Sequence, residues 1–385
     1  MPQTHLYLGW RTAILGLVAV QIVVLALAVL TSPTNRLANR LLGLALIVIA
    51  GLLAPYAMGF AGAYDVWRSL TFVPIAIPLA LGPLLYAYAC TLEGGRLPPR
   101  MVWHFAAPLA QAAYYACCFL LPIGPKWAWY IGGHDAVVAP LFSLLTLVSL
   151  GVYGWKIGEV LKRYRVRLAD QRSDDDRFSA QWLSRVRTAI LFGLVVETGF
   201  WLWSTITGGI DYFQETGLYI ALGALGLYLG VAGWRHAGLP ELAPTEDRMT
   251  IEPARKTVDW GAVAAEFADR TREEGWWREP DLTLPRLSRQ LGTNTGRLSR
   301  AINLGLGINF SVFINGLRAE GVAEALTRHP DTELLDLAFE MGFASKASFN
   351  RAFRTRYGMA PSQYRQQVSN PDSLPQRGDL RRADA

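Results

Sequence analysis

The stretch SKASFNRAFRTRYG (Ser345–Gly358) carries Lys346, Arg351, Arg354 and Arg356 and no acid. Upstream, TNTGRLSRAIN (Thr293–Asn303) carries Arg297 and Arg300, again with no acid. Cationic side chains attract phosphate. Arg, Lys, Asn and Ser on a helix can also hydrogen-bond base edges in a major groove. The acids of this region stand elsewhere, at Glu320, Glu324, Asp331, Glu333, Asp336 and Glu340. A solvated helix face ordinarily mixes signs, so two acid-free basic segments point to a nucleic-acid partner.

The flanking pattern supplies the elements that would present these residues. Leu284, Leu287 and Leu291 mark the inner face of a short helix that Pro285 can start. Gly292 stands where a tight turn needs positive φ. Thr293 or Asn294 can cap a second helix, with Leu298 and Ile302 facing inward. After a longer helix at about 310–328 and a Pro330–Asp331 turn, the plan repeats. Leu334, Leu337, Ala338 and Met341 make a first helix, Gly342 a turn and Ser345 a cap, with Phe349 and Phe353 facing the core. Two short helices joined by a glycine turn make a helix-turn-helix, and here the motif occurs twice. Before it, Asp259–Gly275 has helical spacing with Asp259 as N-cap, and Trp276 and Trp277 read as anchors of the following domain.

The rest of the chain differs in kind. Of 385 residues, 51% are hydrophobic and only 18% charged, with a net charge of +6, against about 25% charged in soluble domains. The deficit lies between Trp10 and Trp234. Seven segments approach the roughly 20 apolar residues that a membrane span needs: 10–31, 37–60, 67–91, 102–121, 135–155, 184–207 and 214–234. The third contains Pro74, Pro78 and Pro83 and should be kinked. The first has a weak n-region and a long apolar stretch, so it reads as a retained span. Tyr56, Trp67, Trp127, Trp129 and Tyr130 read as interfacial belt residues.

Basic residues orient the spans. With the N-terminus outside, the inner loops hold Arg36 and Arg40, then Arg96 and Arg100, then the basic segment 156–187. The outer loops hold only Lys126, with Arg68 at a span edge, and 208–217 carries Asp211 and Glu215. Segment 156–187 reads as a loop that sets topology, with contact to anionic lipid or to the C-terminal domain as further uses. The expected fold is all-α, a seven-helix transmembrane bundle plus a double helix-turn-helix domain. The expected organisation is a membrane domain at 1–235, a flexible tether at 236–258, a DNA-binding domain at 259–367 and a disordered tail at 368–385.

Over Asp281–Arg365 the sequence resembles the AraC/XylS family of bacterial transcription regulators. The resemblance rests on DLTLPRLSRQL, LSRAIN, NFSVFINGLR, LLDLAFEMGFASKASFNRAFRTRYG and APSQYR. It implies two helix-turn-helix units joined by a linker helix, with recognition helices in successive major grooves. Carried over by position, the base-reading candidates are Thr295, Arg297, Ser299 and Arg300, then Ser345, Lys346, Ser348, Asn350 and Arg354. The linker departs from the family pattern at Ala319, where a larger aliphatic residue is usual, and Gly316 and Gly321 lower its helix propensity. LGPLLYAY (Leu81–Tyr88) and His104–Pro108 make the N-terminal half similar to a membrane-embedded subgroup of the family. That places the chain in a bacterial inner membrane, with the C-terminal domain cytoplasmic. The expected partners are double-stranded DNA, membrane lipid, RNA polymerase, a signal ligand and a second copy of the chain.

Polar residues inside spans are costly and mark either interhelical hydrogen bonding or a site. His104, Pro108, Gln111 and Tyr115 share one helical face, as do Glu197, Trp201 and Ser204. Glu197, His104 and Gln111 are the signal-sensing candidates. No HExxH, GxSxG or phosphate loop occurs, and Cys90, Cys117 and Cys118 have no zinc or disulfide spacing. No cofactor or metal and no enzymatic activity are expected. Two other readings compete with a membrane-bound regulator: a transporter or enzyme with a regulatory cytoplasmic domain, and a regulator whose spans only anchor it.

Overall fold

Backbone groups placed in a bilayer must be satisfied internally, and an apolar chain of this kind does so by helix. The structure, a computed structural model, describes residues 5–173, 180–238 and 258–369. Among these residues the fold is all-helical apart from one isolated antiparallel bridge, Arg172 to Thr283. The chain forms two compact units, one from 1–163 and 182–246, the other from 164–181 and 247–385.

The first unit contains α1 (Trp10–Leu30), α2 (Arg36–Phe60), α3 (Ala63–Val66), α4 (Leu81–Gly94), α5 (Met101–Phe119), α6 (Ile123–Trp129), most of α7 (Ala139–Gln171), α8 (Ala180–Thr207) and α9 (Thr216–Ala237). Glycines let α9 pack tightly. A Cβ at Gly226 would stand 2.6 Å from Ile22 and 2.8 Å from Ile49, and one at Gly233 2.5 Å from Leu42. Small residues at such crossings allow the close approach that drives helix association in lipid. The last carbonyl of α9, on Ala237, accepts from Thr34 Oγ1 at 2.5 Å and from Ser32 Oγ and Asn39 Nδ2 at 3.1 Å. The α1–α2 turn therefore satisfies a helix end that would otherwise be an orphan. Outward faces are apolar: Leu17, Val20, Val24, Val195 and Ile206 are all exposed. Trp67 and Trp129 are exposed as belt residues would be, whereas Tyr56 stacks on Tyr212 at 5.0 Å.

Five stretches are long and apolar enough to cross a membrane: Trp10–Leu30, Arg36–Phe60, Ile123–Gln171, Gln181–Thr207 and Thr216–Ala237. The expected span 67–91 is not one helix. Pro74 and Pro78 supply no N–H donor, and regular α-helix begins only at Leu81. The resulting α4 has 14 residues, or about 21 Å. The irregular stretch before it is partly covered by protein, with Thr71, Phe72 and Leu79 buried and Ile75 exposed. It crosses α2 at Gly51, where a Cβ would meet the Ile75 carbonyl. The expected span 102–121 corresponds to α5, which is not among the five stretches long and apolar enough to cross. The basic segment 156–187 is not a loop throughout: α7 stays helical to Gln171 and α8 begins at Ala180.

The second unit contains α10 (Trp260–Glu273), α11 (Leu284–Gln290), α12 (Thr295–Arg300), α13 (Phe310–Arg328), α14 (Leu334–Glu340), α15 (Lys346–Tyr357) and α16 (Pro361–Ser369). Five of these helices, α10 to α13 and α15, open on a local side-chain cap, which decides where each starts, whereas α14 has none. Asp259, Thr283, Asn294, Asn309 and Ser345 accept from the backbone N–H three residues on. Two cores follow the expected inner faces. Leu284, Leu287, Leu291, Leu298 and Ile302 join Phe310, Phe313 and Trp277 in one. Leu337, Ala338, Phe349 and Phe353 join Ala319, Val322 and Leu326 in the other. The linker α13 is a continuous helix of 19 residues. Its small residues have a packing reason: Ala319 is fully buried, and a Cβ at Gly321 would stand 2.6 Å from the Trp277 ring and 2.9 Å from Met341 Sδ. The expected tether 236–258 falls outside the described residues from 239 to 257, and the expected tail 368–385 from 370 onward.

Candidate nucleic-acid interface

In the second helix of each helix-turn-helix, hydrophobic periodicity turns one face inward and leaves the basic face to solvent. In α12, Leu298 is buried while Arg297 and Arg300 are exposed, and Thr295 and Ser299 are half-buried. The Ser299 hydroxyl accepts from Asn303 Nδ2 at 3.3 Å, and Asn294 Oδ1 accepts from Arg297 N at 2.7 Å. In α15, Phe349 and Phe353 are buried at i, i+4. Lys346, Asn350 and Arg354, also at i, i+4 spacing, form a separate stripe in which Lys346 and Arg354 are exposed and Asn350 half-buried.

Two of the expected base readers are drawn into the helix start. Ser345 is the N-cap, its Oγ accepting from Ser348 N at 3.1 Å. Ser348 is buried at 4% exposure, and its own hydroxyl donates to Ser345 O at 2.9 Å. Ser348 belongs to the cap and not to the exposed face. Arg356, counted in the basic segment, pairs with Glu320 Oε1 on α13 at 2.7 Å. Glu320 also meets Arg272 of α10 at 3.5 Å. The exposed cations among the candidates are Arg297, Arg300, Lys346 and Arg354. None of them forms an ion pair with a described residue.

Turn geometry positions both helices. Gly292 has φ +69° and Gly342 φ +85°, in the region where only glycine is unstrained. At Gly342 a Cβ would also meet the Arg278 carbonyl carbon at 2.7 Å and its oxygen closer still. The segment 277–279 therefore contacts the second turn directly. It is held to the linker by Arg318, a fully buried side chain. Arg318 Nε donates to Trp277 O at 2.8 Å, Nη2 to Glu279 O at 2.5 Å and Nη1 to Asn315 Oδ1 at 3.0 Å. Reading the sequence for apolar periodicity misses this arginine. Its signal is a stripe at i, i+4, i+7 and i+11, Ser311, Asn315, Arg318 and Val322, all buried on one face of α13. We expect Arg318→Met to destabilise the second unit by about 2–4 kcal/mol, because Trp277 O and Glu279 O lose a buried donor. Loss of amide-exchange protection over 277–282 and in α13 would register it, and unchanged protection would refute it.

At the C-terminal end, Phe353, Tyr357 and Tyr364 form an aromatic cluster with ring centroids 4.7–5.3 Å apart. Burial, with Tyr364 beside it, pushes the Tyr357 phenol up to about 12, so Tyr357 stays a neutral packing residue.

The three sensing candidates of the first unit are not brought together. His104 Nδ1 lies 2.9 Å from Tyr153 Oη. Gln111, buried at 1% exposure, accepts from Leu79 N at 3.3 Å and so pins the irregular stretch before α4. Glu197 is half-buried in α8. His134 was not singled out by its spacing. It is buried, with Nδ1 3.0 Å from Tyr114 Oη and its ring packed against Phe72 and Tyr130.

The family model described as a helix-turn-helix domain matches residues 287–367, the span of both units. Among curated proteins, this chain is similar to an uncharacterized HTH-type transcriptional regulator of Staphylococcus aureus (strain MSSA476), 38% identical over 85 residues. It is also similar to the uncharacterized HTH-type transcriptional regulator YtdP of Bacillus subtilis (strain 168), 30% identical over 89 residues. These alignments cover 22% and 23% of this chain and 11% of the length of either relative. No solved structure matches the chain. The C-terminal region thus carries a helix-turn-helix domain, and the relatives that share it are named as transcriptional regulators.

Proposed function

We propose that this protein is a membrane-bound, one-component transcription regulator that binds specific duplex DNA through both helix-turn-helix units and needs no enzymatic step. The observation that carries this reading is the pairing of α12 and α15, each exposing arginine or lysine with no acid, in a chain that also holds five apolar helices of spanning length. Phosphate attraction supplies affinity. Arg297, Arg300, Lys346, Asn350 and Arg354 are the side chains assigned to base edges or to adjacent phosphates, with Thr295 and Ser299 at the margin and Ser345 holding the helix start. Duplex DNA and membrane lipid are the partners in this reading, with RNA polymerase and a second copy of the chain completing a promoter complex. Signal input belongs to the first unit, where Glu197, His104 and Gln111 remain the polar groups assigned to it.

Chromatin immunoprecipitation of the full chain should give discrete peaks, and the double variant Arg297→Ala/Arg354→Ala should lose them. Absence of discrete peaks with the parent protein would sink the assignment.

In the bilayer this reading counts seven crossings, with α4 and the irregular stretch before it as the third and α5 as the fourth. The inner loops then collect Arg36, Arg40, Arg96, Arg100 and the basic residues of 156–187. A reporter active only in the cytoplasm should work when fused after Gly238 and fail when inserted near Gly209. The opposite pattern would reverse the orientation.

A further inference from the structure

Within the second unit, the two residues that follow α7 are docked on the helix-turn-helix domain. Arg172 bridges Thr283 in antiparallel fashion. Ser173 is buried at 1% exposure, its N–H donating to Leu282 O at 3.4 Å and its hydroxyl to the same oxygen at 3.0 Å. Its carbonyl accepts from Asn315 Nδ2 at 2.9 Å. Both contact points matter to the DNA-reading elements. Thr283 is the N-cap of α11, the first helix of the first helix-turn-helix. Asn315 lies on α13 and uses its other amide atom, Oδ1, to accept from Arg318 Nη1. Arg318 holds the 277–279 segment, and that segment abuts the Gly342 turn of the second unit. A hydrogen-bond chain thus runs from Ser173 through Asn315 and Arg318 to the joint between the two recognition helices.

We propose that Arg172–Ser173 is a regulatory clip: docked, it holds the joint between the two helix-turn-helix units in the DNA-binding geometry, and released, it lets that geometry relax. The clip is covalently continuous with α7, whose N-terminal portion belongs to the apolar first unit. Its described contacts to α11 and α13 are polar: the backbone bridge of Arg172 and the hydrogen bonds of Ser173. A net hydrogen bond shifts an equilibrium by about fivefold, and three of them roughly offset the cost of about 1–2 kcal/mol per residue of ordering the two-residue segment, so docked and released forms are comparably populated without DNA. That leaves the released state within reach of a signal of ordinary coupling strength. A segment buried by a large apolar area would be locked permanently and could not report.

This proposal rests on the DNA-binding reading above, and the experiment separates the two. The full chain, with the exposed Cys117 replaced by Ser, is placed in phosphatidylethanolamine/phosphatidylglycerol nanodiscs, and a duplex is selected on it from a random library. Ser173→Gly should weaken binding of that duplex by about threefold, as the docked fraction falls from about one half to about one sixth. Adding Arg172→Cys and Thr283→Cys to the Ser173→Gly protein allows a disulfide to replace the lost bond, since bridged antiparallel residues lie about 4.5–5.5 Å apart at Cα. The oxidised form of this triple variant should regain at least the parent's affinity, and reduction should abolish the gain. The two forms differ by one covalent bond, so a general folding defect from the substitutions is common to both. A Ser173→Gly protein that binds like the parent overturns the clip, as does an oxidised form that binds no tighter than the reduced one. A parent protein that enriches no duplex overturns the DNA-binding reading itself, and the clip with it.

Discussion

Gly342→Ala should destabilise the second helix-turn-helix unit by about 3 kcal/mol or more. Two costs add at this position. Holding a non-glycine residue at φ +85° costs roughly 1–2 kcal/mol. The new Cβ would also collide with the Arg278 carbonyl, and relieving such overpacking costs roughly 1–3 kcal/mol. Gly292 provides the control. It has φ +69° but open space around its missing Cβ, so Gly292→Ala should cost only the conformational term, roughly 1–2 kcal/mol. Amide exchange resolves the difference: at Phe343 and Phe349 the Gly342 variant should exchange on the order of a hundredfold faster than the parent. Equal effects at the two glycines would mean that the contact with 277–279 carries no strain.

The second large effect is on recognition. Arg297→Ala and Arg354→Ala should each cost about 1–3 kcal/mol of binding to a specific duplex if they read guanines. The residues sit on different helices in different units, so the losses should add, giving about 2–6 kcal/mol for the double variant. Competition with random-sequence DNA distinguishes base reading from phosphate contact. An equal loss on both kinds of DNA assigns the arginine to phosphate. Ser348→Ala makes a useful contrast, because its hydroxyl is buried in the α15 cap: it should change stability of the helix start without changing which sequence is preferred.

Local chemistry made much of the second unit legible. Capping residues, glycine turns and the i, i+4 placement of Phe349 and Phe353 depend on neighbours within one or two turns, so the sequence alone determined α11 to α15, both turns and the exposed basic stripes. Apolar run length likewise determined five helices of spanning length. What the tertiary structure decided were matters of distance across the chain. The irregular stretch at Thr71–Ile77 can pack against α2 only because Gly51 lets its backbone approach. The charges of the basic segment 156–187 resemble those of a loop, yet charged residues with good helix propensity simply extend α7 to Gln171. Gly321 looked like a weak point in a helix until Trp277 filled the space beside it. Arg318 lies on a mixed polar stripe that apolar periodicity does not pick out, and Ser173 carries no periodic signal. Their roles arise from carbonyls of Trp277, Glu279 and Leu282, and a buried donor acquires meaning only from the distant acceptor it satisfies.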